Sequence, residues 1–466
     1  MKILLATSEA LPFAKSGGLG DFIYSYSKTL AKKGHDVSVV MPLYKVIRDK
    51  HPEVMNDHYD TFDFNMGGRI QGCGCFRQLV EGVTFYFLAM DRFDRDELYG
   101  YGDDDERFAC FQMGVITFIT RHNGYDVVHC NDWQTGVIPL LLKYNPRPIK
   151  TVITIHNPAF QGWTAREHVG NWFNLDNGWY DNGTVRMGDC FNYLKTGIMT
   201  ADRITTVSKT HRNELMNDSM GFGGIGNVIR MRADDFVGIV NGLDTDIWDP
   251  ATDHHLAKNY SIYDYRIGKR INRDAILEIL GMGNGFNGPL FSAITRLSGQ
   301  KGVDRIVSAM PEMRRCDGRL IIIGTGDMEN EVLMNTLNYP EVYLVRRYDE
   351  NLAHLLYAAS DYFLMPSYFE PCGTSQMISM RYGTVPIVSN VGGLADTVID
   401  LGAGNNGTGF VFNNRDPSAF MNCLISASQH YYQPGIDHLI RNGMKGDYGW
   451  TRNADEFVSL YNSINK

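Results

Sequence analysis

The chain has 466 residues, of which 44 are Lys or Arg and 53 are Asp or Glu, so its formal net charge is −9. This acidic balance argues against a protein that coats nucleic acid or an anionic membrane, and we expect neither as a partner. With 44% hydrophobic and 21% charged residues, the composition is that of an ordinary globular protein and excludes a disordered or fibrous chain. A chain of this length should form two or three domains.

The N-terminal half predicts a parallel sheet, because short apolar, β-branched runs alternate with longer mixed segments. The predicted strands are Lys2–Thr7, Val37–Met41, Thr84–Met90, Asp126–Cys130, Thr151–Ile155, Arg203–Val207 and Phe236–Val240. After the first strand, Leu19, Phe22, Ile23, Tyr26 and Leu30 fall at helical spacing, and Gly34 suits the helix C-terminus.

The C-terminal half repeats this rhythm, and we predict a second sheet. Its strands are Leu290–Thr295, Leu320–Ile323, Val342–Val345, Tyr362–Met365 and Val385–Ser389. A turn-rich stretch around Asn241–Asp244 separates the halves, and Trp450–Ile464 is amphipathic with helical spacing. We therefore predict an α/β protein with an N-terminal domain over residues 1–243, a C-terminal domain over 244–447 and a final helix over 448–466 that packs on the N-terminal domain.

Cysteine usage and apolar runs bear on the compartment. Eight cysteines are too sparse for the disulfide framework of a secreted domain, and Cys73-Gly-Cys75 has no second pair at zinc spacing, so we interpret it as a structural hairpin pair and assign no metal. Glu9 interrupts the N-terminal apolar run before it reaches signal-peptide length. The longest apolar stretches fall far short of the roughly 20 residues that span a bilayer. We predict a soluble, cytoplasmic protein.

Ligands of open α/β sheets bind at the loops that follow the strands, so these loops indicate function. The first loop, Lys15-Ser16-Gly17-Gly18-Leu19-Gly20-Asp21, combines paired glycines, the unpaired N–H groups of a new helix and the charge of Lys15, a combination suited to phosphate. It fails both the P-loop and the dinucleotide patterns. Alone, it is about as consistent with a tight structural turn.

Two further strand-end loops carry a histidine and a pair of cations. His156 opens the loop 156–162 directly after a strand, although an isolated histidine is more often structural. Arg296 and Lys301 lie five residues apart after another strand, where they could clasp one diphosphate. Solvation at the surface is the ordinary alternative, but the strand-end position favours the diphosphate.

A fourth loop, Glu370-Pro371-Cys372-Gly373-Thr374-Ser375-Gln376, places a carboxylate at a strand end and the following residues at a helix N-terminus that can hold phosphate. A fifth, Gly392–Thr397, repeats the Gly-Gly-Leu-x-Asp pattern of the first loop. One such loop in each half, beside three basic residues and a carboxylate, indicates a cleft between the domains that closes on a charged, phosphate-bearing donor.

These segments resemble, in the same order, the signature of the bacterial glycogen synthase and plant starch synthase family. Asn241–Asp244 and Arg381-Tyr382-Gly383 belong to the same resemblance. The resemblance implies a GT-B fold, with two Rossmann-like domains facing a deep cleft and a C-terminal helix that crosses back to the first domain. It implies retaining transfer of glucose from ADP-glucose, or alternatively UDP-glucose, to the non-reducing end of an α-1,4-glucan. No cofactor and no bound metal are implied.

The same resemblance implies roles for single residues. Lys15, Arg296 and Lys301 would stabilise the departing diphosphate, Glu370 would orient the glucose, and His156 and Asp132 would shape the sugar site. The residues implied to bind the nucleotide sugar are Gly18, Asn241, Tyr348, Cys372, Gly373, Thr374 and Ser375, with Asn241 on the glucose and Tyr348 stacked on the base. Fixed cations near a leaving group that gains negative charge lower the barrier electrostatically.

The chain departs from the family pattern at Gln134, Lys209, Thr374 and the glycine-rich stretch 221–226. None of these belongs to the implied diphosphate-binding set, so the reaction class is unaffected, whereas acceptor handling and the donor base stay open.

Other functions fit the sequence less well. Asp103-Asp104-Asp105 could be taken for the metal motif of another glycosyltransferase fold, but a solvated turn is the better interpretation. An NAD-dependent oxidoreductase is disfavoured because Gly324-Thr325-Gly326 lacks the third glycine. The alternatives that stay open are a non-catalytic glucan-binding protein, which the cations beside Glu370 disfavour, and a GT-B glycosyltransferase with another acceptor.

Overall fold

The computed structural model describes residues 1–217, 221–283, 286 and 288–465. The chain divides into two units, one formed by Met1–Gly242 with Trp450–Lys466 and the other by Leu243–Gly449. Each unit is built around its own largely parallel sheet, as the alternating sequence pattern predicts.

The first unit contains a nine-stranded sheet with the order β12-β11-β7-β6-β1-β2-β5-β4-β3, and a small sheet with the order β8-β10-β9. Its strands are β1 (Lys2–Ala6), β2 (Asp36–Pro42), β3 (His58–Met66), β4 (Arg69–Val80), β5 (Val83–Ala89), β6 (Val127–Asn131), β7 (Lys150–Ile155), β8 (Trp163–Thr164), β9 (Arg186–Met187), β10 (Cys190–Asn192), β11 (Arg203–Thr206) and β12 (Phe236–Gly238). The seven strands from β12 to β5 pair in parallel.

The order of this sheet reverses at β1, which is fully buried from Ile3 to Ala6. The next strand in sequence, β2, lies on one side of β1, and β6 lies on the other. Such a reversal is a topological switch point, where the loops after two neighbouring strands diverge and leave room for a ligand. The loops that follow β1 and β6 therefore start at the switch point of the first unit.

The helices of the first unit cover this sheet. They are α1 (Gly18–Lys32), α2 (Lys45–Lys50), α3 (Asp104–Arg121), α4 (Ile138–Leu142), α5 (His168–Asn171), α6 (Gly178–Asp181), α7 (Tyr193–Thr200), α8 (Lys209–Met216) and α9 (Ile225–Arg230). The apolar face predicted for α1 is buried from Leu19 to Leu30, and Gly34 ends the helix with a φ of +85°, a conformation that favours glycine.

The second unit contains a six-stranded, fully parallel sheet with the order β15-β14-β13-β16-β17-β18. Its strands are β13 (Leu290–Ile294), β14 (Arg319–Ile323), β15 (Val342–Val345), β16 (Tyr362–Met365), β17 (Val385–Ser389) and β18 (Phe410–Phe412). Its helices are α10 (Tyr265–Ile279), α11 (Val303–Arg315), α12 (Glu329–Thr336), α13 (Glu350–Ala359), α14 (Ser375–Arg381), α15 (Gly392–Thr397), α16 (Ala419–His430) and α17 (Ile436–Lys445). This is the doubly wound Rossmann order, with its switch point between β13 and β16.

The last helix, α18 (Trp450–Ile464), has the bounds that its amphipathic pattern predicts. Its apolar residues, including Phe457 and Tyr461, are buried in the core of the first unit. The Tyr461 hydroxyl lies 2.7 Å from that of Tyr26 on α1 and 2.6 Å from Nδ1 of His129 on β6. Apolar burial and buried hydrogen bonds together attach the helix to this unit.

The sequence patterns missed the antiparallel strands β3 and β4, the short strands β8, β9 and β10 of the small sheet, and the short strand β18. In β3, buried residues alternate with exposed ones, a pattern that continuous apolar runs do not detect. Cys73 and Cys75 lie on β4 as buried free thiols, so their predicted position in a hairpin is confirmed. Within the described residues, no helix is long and apolar enough to span a membrane.

Candidate active site

The loop between β1 and α1 is held by the buried carboxylate of Glu9. Its Oε2 accepts hydrogen bonds from the backbone N–H groups of Ser16 (2.6 Å) and Gly17 (3.1 Å), and its Oε1 accepts one from the Ser16 hydroxyl (2.8 Å). The Tyr99 hydroxyl donates to the same Oε1 at 2.8 Å. These two N–H groups, which precede the new helix, are therefore already paired within the chain, and the loop has a fixed path.

Lys15 and Gly18 lie on the exposed part of this loop. Lys15 Nζ is 2.6 Å from Asp21 Oδ2, and the two side chains are 38% and 37% exposed. An ion pair at this exposure contributes little to stability, so the ammonium group can exchange Asp21 for another anion at small cost. Gly18 is the first residue of α1 and has open space where a Cβ would stand, so a ligand can approach its backbone.

His156 follows β7, and its side chain is anchored by the neighbouring strand β6. Nε2 of His156 lies 2.9 Å from Oδ1 of Asn131, the last residue of β6. The ring of Phe22, on α1, packs edge-on against the imidazole with centroids 4.7 Å apart. Burial lowers the pKa of His156 to about 3, so the ring is neutral at physiological pH.

Asp132 comes directly after β6 and joins this group. Its Oδ1 accepts hydrogen bonds from the backbone N–H groups of His156 (2.7 Å) and Asn157 (3.3 Å). Burial raises the pKa of Asp132 to about 7, although these two donors favour the ionised form. Its φ of +57° is a strained backbone conformation for a residue with a Cβ, and such strain concentrates at functional sites. The structure thus brings Asp132 and His156 together.

Asn241 lies beyond β12, near the end of the first unit, and is 9% exposed. Its Oδ1 is buried and has no hydrogen-bond partner among the described residues. Because buried polar atoms are nearly always paired, this acceptor is a candidate contact for a ligand hydroxyl or a water molecule.

The switch point of the second unit holds a largely buried ion pair. Lys301 Nζ lies 2.6 Å from Oε2 of Glu370, and the two side chains are 18% and 7% exposed. The Ser367 hydroxyl donates to the same oxygen at 3.1 Å. Lys301 belongs to the loop after β13 and Glu370 to the loop after β16, so the two strands that flank the switch point each supply one charge.

Backbone contacts fix these two loops against each other. The Tyr368 N–H donates to the Gln300 carbonyl at 3.0 Å, and Gln300 Nε2 donates to the Phe369 carbonyl at 3.2 Å. Gly302 has a φ of +69°, and a Cβ there would stand 2.1 Å from the Pro366 carbonyl oxygen. Arg296, earlier in the same loop, is exposed, and no ion pair is recorded for it in the described part of the chain.

The glycines of the repeated Gly-Gly-Leu-x-Asp pattern have a packing role in this unit. A Cβ on Gly392 would lie 1.9 Å from the Glu370 carbonyl oxygen, and one on Gly393 would lie 2.2 Å from that of Cys372. The Gly393 N–H donates to the Glu370 carbonyl at 3.2 Å. This loop therefore supports the segment that carries Glu370, and the glycine pairs of the two Gly-Gly-Leu-x-Asp loops differ in what they contact.

The other predicted binding residues surround the same strand ends. Cys372 is buried, and Gly373 has a φ of +69°. Thr374 and Ser375 stand at the N-terminus of α14, where the first backbone N–H groups of a helix are open to a ligand. Tyr348, after β15, is 61% exposed, which suits a ring that stacks on a nucleobase.

Three residues of this arrangement were missed by the sequence patterns: Glu9, Tyr99 and Asn131. In the sequence pattern, Glu9 is only a charge that interrupts an apolar run. Glu9 and Asn131 stand at the ends of adjacent strands, but only the sheet order shows that β1 and β6 are neighbours. Position near a strand end was the sequence signal that could have identified Glu9 and Asn131 as site residues. No sequence signal pointed to Tyr99.

One cluster among the described residues has the spacing of a metal site. The ligand atoms of Asp253, His254 and His255 lie within 4.8 Å of one another. However, the buried Asp253 carboxylate already accepts from the Tyr382 hydroxyl (2.6 Å) and is hydrogen-bonded to His354 (2.8 Å). A carboxylate with these partners is part of the packing, and we assign it no metal.

The solvated turn predicted for the Asp103–Asp105 run is wrong, because Asp104 and Asp105 form the first turn of α3. Asp103 is bonded to Arg95 at 2.6 Å, Asp104 pairs with Arg107, and Asp105 accepts from Thr164 at 2.7 Å. Carboxylates at a helix N-terminus are stabilised by the helix dipole, so the run has a structural explanation.

Comparisons with known proteins agree with this geometry. Residues 2–231 match the family model described as the starch synthase catalytic domain, and residues 288–430 match that described as glycosyl transferases group 1. The glycogen synthase of Exiguobacterium sibiricum is 38% identical over 480 residues and aligns over 100% of this chain and 99% of its own. That of Streptococcus agalactiae is 40% identical over 480 residues, with both chains covered completely.

Solved structures show the same likeness. The catalytic domain of starch synthase IV from Arabidopsis thaliana, bound to ADP and acarbose, matches with a TM-score of 0.91 and 30% identity over 100% of this chain and 99% of its own. Sucrose-phosphate synthase from Thermosynechococcus elongatus matches with a TM-score of 0.62 at 17% identity over 99% of this chain and 98% of its own, which shows a shared fold.

Two units with parallel sheets, with charged and polar side chains at their switch points, define this protein as a glycosyltransferase of the GT-B fold. More particularly, the chain belongs to the glycogen synthase and starch synthase family and is a glucosyltransferase. The resemblance on which the fold and enzyme class were predicted is confirmed.

Proposed function

We propose that this enzyme transfers glucose from ADP-glucose to the non-reducing end of an α-1,4-glucan with retention of the anomeric configuration. UDP-glucose is the alternative donor. The observation that carries the proposal is the buried pair of Lys301 and Glu370, which places a cation and a carboxylate 2.6 Å apart at the switch point of the second unit. The starch synthase of similar structure is bound to ADP and acarbose. This supports adenine as the base of the donor and a glucan as the acceptor.

In this proposal Lys15, Arg296 and Lys301 act on the leaving diphosphate. Cleavage of the glycosyl–phosphate bond builds negative charge on the phosphate and positive charge on the sugar ring, and preorganised cations stabilise the former without reorganisation. Lys301 has three N–H donors, and a single bond to Glu370 leaves others for phosphate oxygens. The same bond fixes Glu370, which we propose orients the glucose through its hydroxyls.

The remaining predicted residues complete the donor site. We propose that the backbone at Gly18, and the residues Gly373, Thr374 and Ser375, contact phosphate or glucose, because their N–H groups lie at the starts of α1 and α14. Tyr348 would stack on the base, and Cys372 would line the sugar site. Most of this donor set belongs to the second unit, which supports a nucleotide-sugar domain there and the acceptor side on the first.

The polar groups of the first unit would receive the sugar. We propose that Asn241, whose buried Oδ1 has no hydrogen-bond partner in the described part of the chain, accepts a hydrogen bond from a glucose hydroxyl. Asp132 and His156 would shape the site from the loops after β6 and β7. Asn241 is buried, Asp132 and His156 are partly buried, and a site that excludes water protects the donor from hydrolysis.

We propose further that transfer needs no cofactor or metal ion, since three cationic side chains can supply the charge that a metal would provide. An excess of EDTA should leave the rate unchanged, whereas loss of activity restored by a divalent ion would contradict this point. The cytoplasm is the proposed compartment, because all eight cysteines are free thiols, which a reducing environment preserves.

One assay tests the function. Radiolabelled ADP-glucose and UDP-glucose are offered separately with glycogen or maltohexaose as primer, and the product is digested with β-amylase. We expect label in an α-1,4-linked product, with kcat/KM at least about tenfold higher for ADP-glucose, equivalent to roughly 1.4 kcal/mol of transition-state binding. Binding of glycogen without transfer from either donor would contradict the proposal and favour a glucan-binding protein.

A further inference from the structure

We propose that Asn131 is a positioning residue that fixes His156 in its Nε2–H tautomer, so that His156 presents to a ligand only a hydrogen-bond acceptor, Nδ1. The inference rests on the proposed function in one respect, namely that His156 lies in the sugar site.

The orientation of the Asn131 side-chain amide follows from its surroundings. Asn131 is fully buried, and its Nδ2 lies 3.1 Å from the carbonyl oxygen of Ala6 and 3.3 Å from that of His129. A carbonyl oxygen can only accept, so the atom that faces both carbonyls must be the NH₂ group. The amide oxygen therefore faces His156.

The tautomer of His156 follows in turn. Asn131 Oδ1 can only accept, so the nitrogen 2.9 Å away, His156 Nε2, must carry a proton. The titratable groups recorded next to the imidazole are Asp132, after β6, and His129, on β6, while α1 contributes the apolar ring of Phe22. Burial keeps His156 neutral, with a pKa of about 3. A neutral ring with a proton on Nε2 has its lone pair on Nδ1.

This polarity selects the ligand group that His156 can contact. No hydrogen bond to Nδ1 is recorded among the described residues, and the His156 side chain is only partly covered. A lone pair attracts a hydroxyl hydrogen but repels a phosphate oxygen, since both would be acceptors. His156 therefore suits a hydroxyl of the transferred glucose, and it does not act on the diphosphate or donate a proton at neutral pH.

The tautomer can be measured directly in the wild-type enzyme. In a sample labelled with ¹⁵N-histidine, long-range ¹H–¹⁵N correlation spectra distinguish the two tautomers, and His156→Gln identifies the His156 signals among those of the 13 histidines. We expect a protonated Nε2 and an unprotonated Nδ1 at about pH 7. An Nδ1–H tautomer, or a charged ring, would overturn the inference.

A substitution tests the positioning role by function. Asn131→Asp places a carboxylate beside Nε2–H, which favours the imidazolium and converts Nδ1 from acceptor to donor. We divide kcat/KM of this variant by that of wild type at each pH. We expect this ratio to be at least about tenfold lower at about pH 6 than at about pH 8.5. An unchanged pH profile in the folded variant would overturn the inference.

Asn272→Asp is the matched control. Asn272 is also fully buried, and its Nδ2 donates to two carbonyls, those of Lys258 and Gly268, while its Oδ1 accepts from a backbone N–H group. Asn272→Asp also replaces a buried amide that donates to two carbonyls, but Asn272 does not contact His156. The pH profile of this variant should therefore match that of wild type. A profile shifted equally in both variants would overturn the positioning role.

Failure of the proposed function is distinguishable from failure of this inference. If the enzyme transfers glucose from neither donor, the function fails, while the ¹⁵N spectra still decide the tautomer. Should Asn131→Asp not fold, the wild-type spectra remain decisive.

Discussion

The switch points of the two units use different physical means to hold their functional groups. In the second unit, opposite charges from two loops, Lys301 and Glu370, lie buried in contact. In the first unit, the groups around His156 are held by amide and backbone hydrogen bonds, and the cation Lys15 is exposed beside Asp21. The Lys301–Glu370 pair is therefore part of the packing of the second unit, whereas Lys15 is not part of the packing of the first.

Because of this contrast, substitutions in the two units should affect stability and turnover differently. Removal of one member of a buried ion pair leaves an unpaired charge and destabilises a protein strongly, while an exposed pair contributes little. Substitutions in the Lys301–Glu370 pair should thus impair both folding and turnover. Those at Lys15 should impair turnover alone.

The largest effect is expected for Glu370→Gln. The amide keeps the shape of the side chain but loses the charge that fixes Lys301 and the acceptor strength that orients the sugar. We expect kcat to fall by about a thousandfold, at the upper end of what one electrostatic contact contributes. Steady-state kinetics with saturating donor and glycogen measure kcat. A folded variant whose kcat is within about tenfold of wild type would show that Glu370 does not act in the site.

Stability should distinguish the two lysines. Lys301→Ala leaves Glu370 buried without its partner, and we expect a loss of about 3 kcal/mol in the free energy of unfolding. Lys15→Ala should lose less than about 1 kcal/mol. The control Lys45→Ala, which removes another exposed pair, that with Asp96, should unfold at the same urea concentration as wild type. Urea unfolding compares the variants. Equal losses for Lys15→Ala and Lys301→Ala would break the contrast between the two switch points.

Asp132 should make the stability of the first unit depend on pH. The folded carboxyl keeps its proton up to pH about 7, whereas the unfolded one loses it near pH ~4. Between these values the folded state binds more protons, so this group makes the free energy of unfolding fall as pH rises.

Asp132→Asn removes that decline while its amide oxygen still accepts from the two N–H groups. We expect the variant to gain about 2–4 kcal/mol over wild type in going from about pH 4 to about pH 8. Urea unfolding of both proteins at these pH values gives the difference. A difference that does not vary with pH would show that the pKa of Asp132 is not raised in the folded state.

The smallest effect is expected for Cys372→Ser. The thiol is buried beside Glu370, but the proposed chemistry gives it no proton or bond to transfer. The serine variant should keep kcat within about threefold of wild type, or about 0.7 kcal/mol. An inactive but folded serine variant would give the thiol a direct role.

The limits of sequence-based prediction can be seen in particular elements. Strand β1 and helix α18 were predictable because a continuous apolar run and a helical apolar stripe each specify one structure. Strand β3 was missed because its alternating pattern belongs to a half-exposed antiparallel edge.

The same limit applies to the site. Lys301 and Glu370 were predictable as charges at strand ends, and the structure shows them in contact. Asn131 was not, because its partners, Ala6 and His156, come from strands whose adjacency is set by the sheet order. Contacts that depend on the order of strands in the sheet cannot be predicted from residue patterns along the chain.

The most direct test of the account is the single-turnover rate of glucose transfer from ADP-glucose to maltohexaose in Lys15→Ala and Lys301→Ala. If cations from both units stabilise the departing diphosphate, each folded variant should be at least about a hundredfold slower than wild type, or roughly 3 kcal/mol, while Lys45→Ala is unchanged. Wild-type rates in both lysine variants would contradict the shared role of the two switch points.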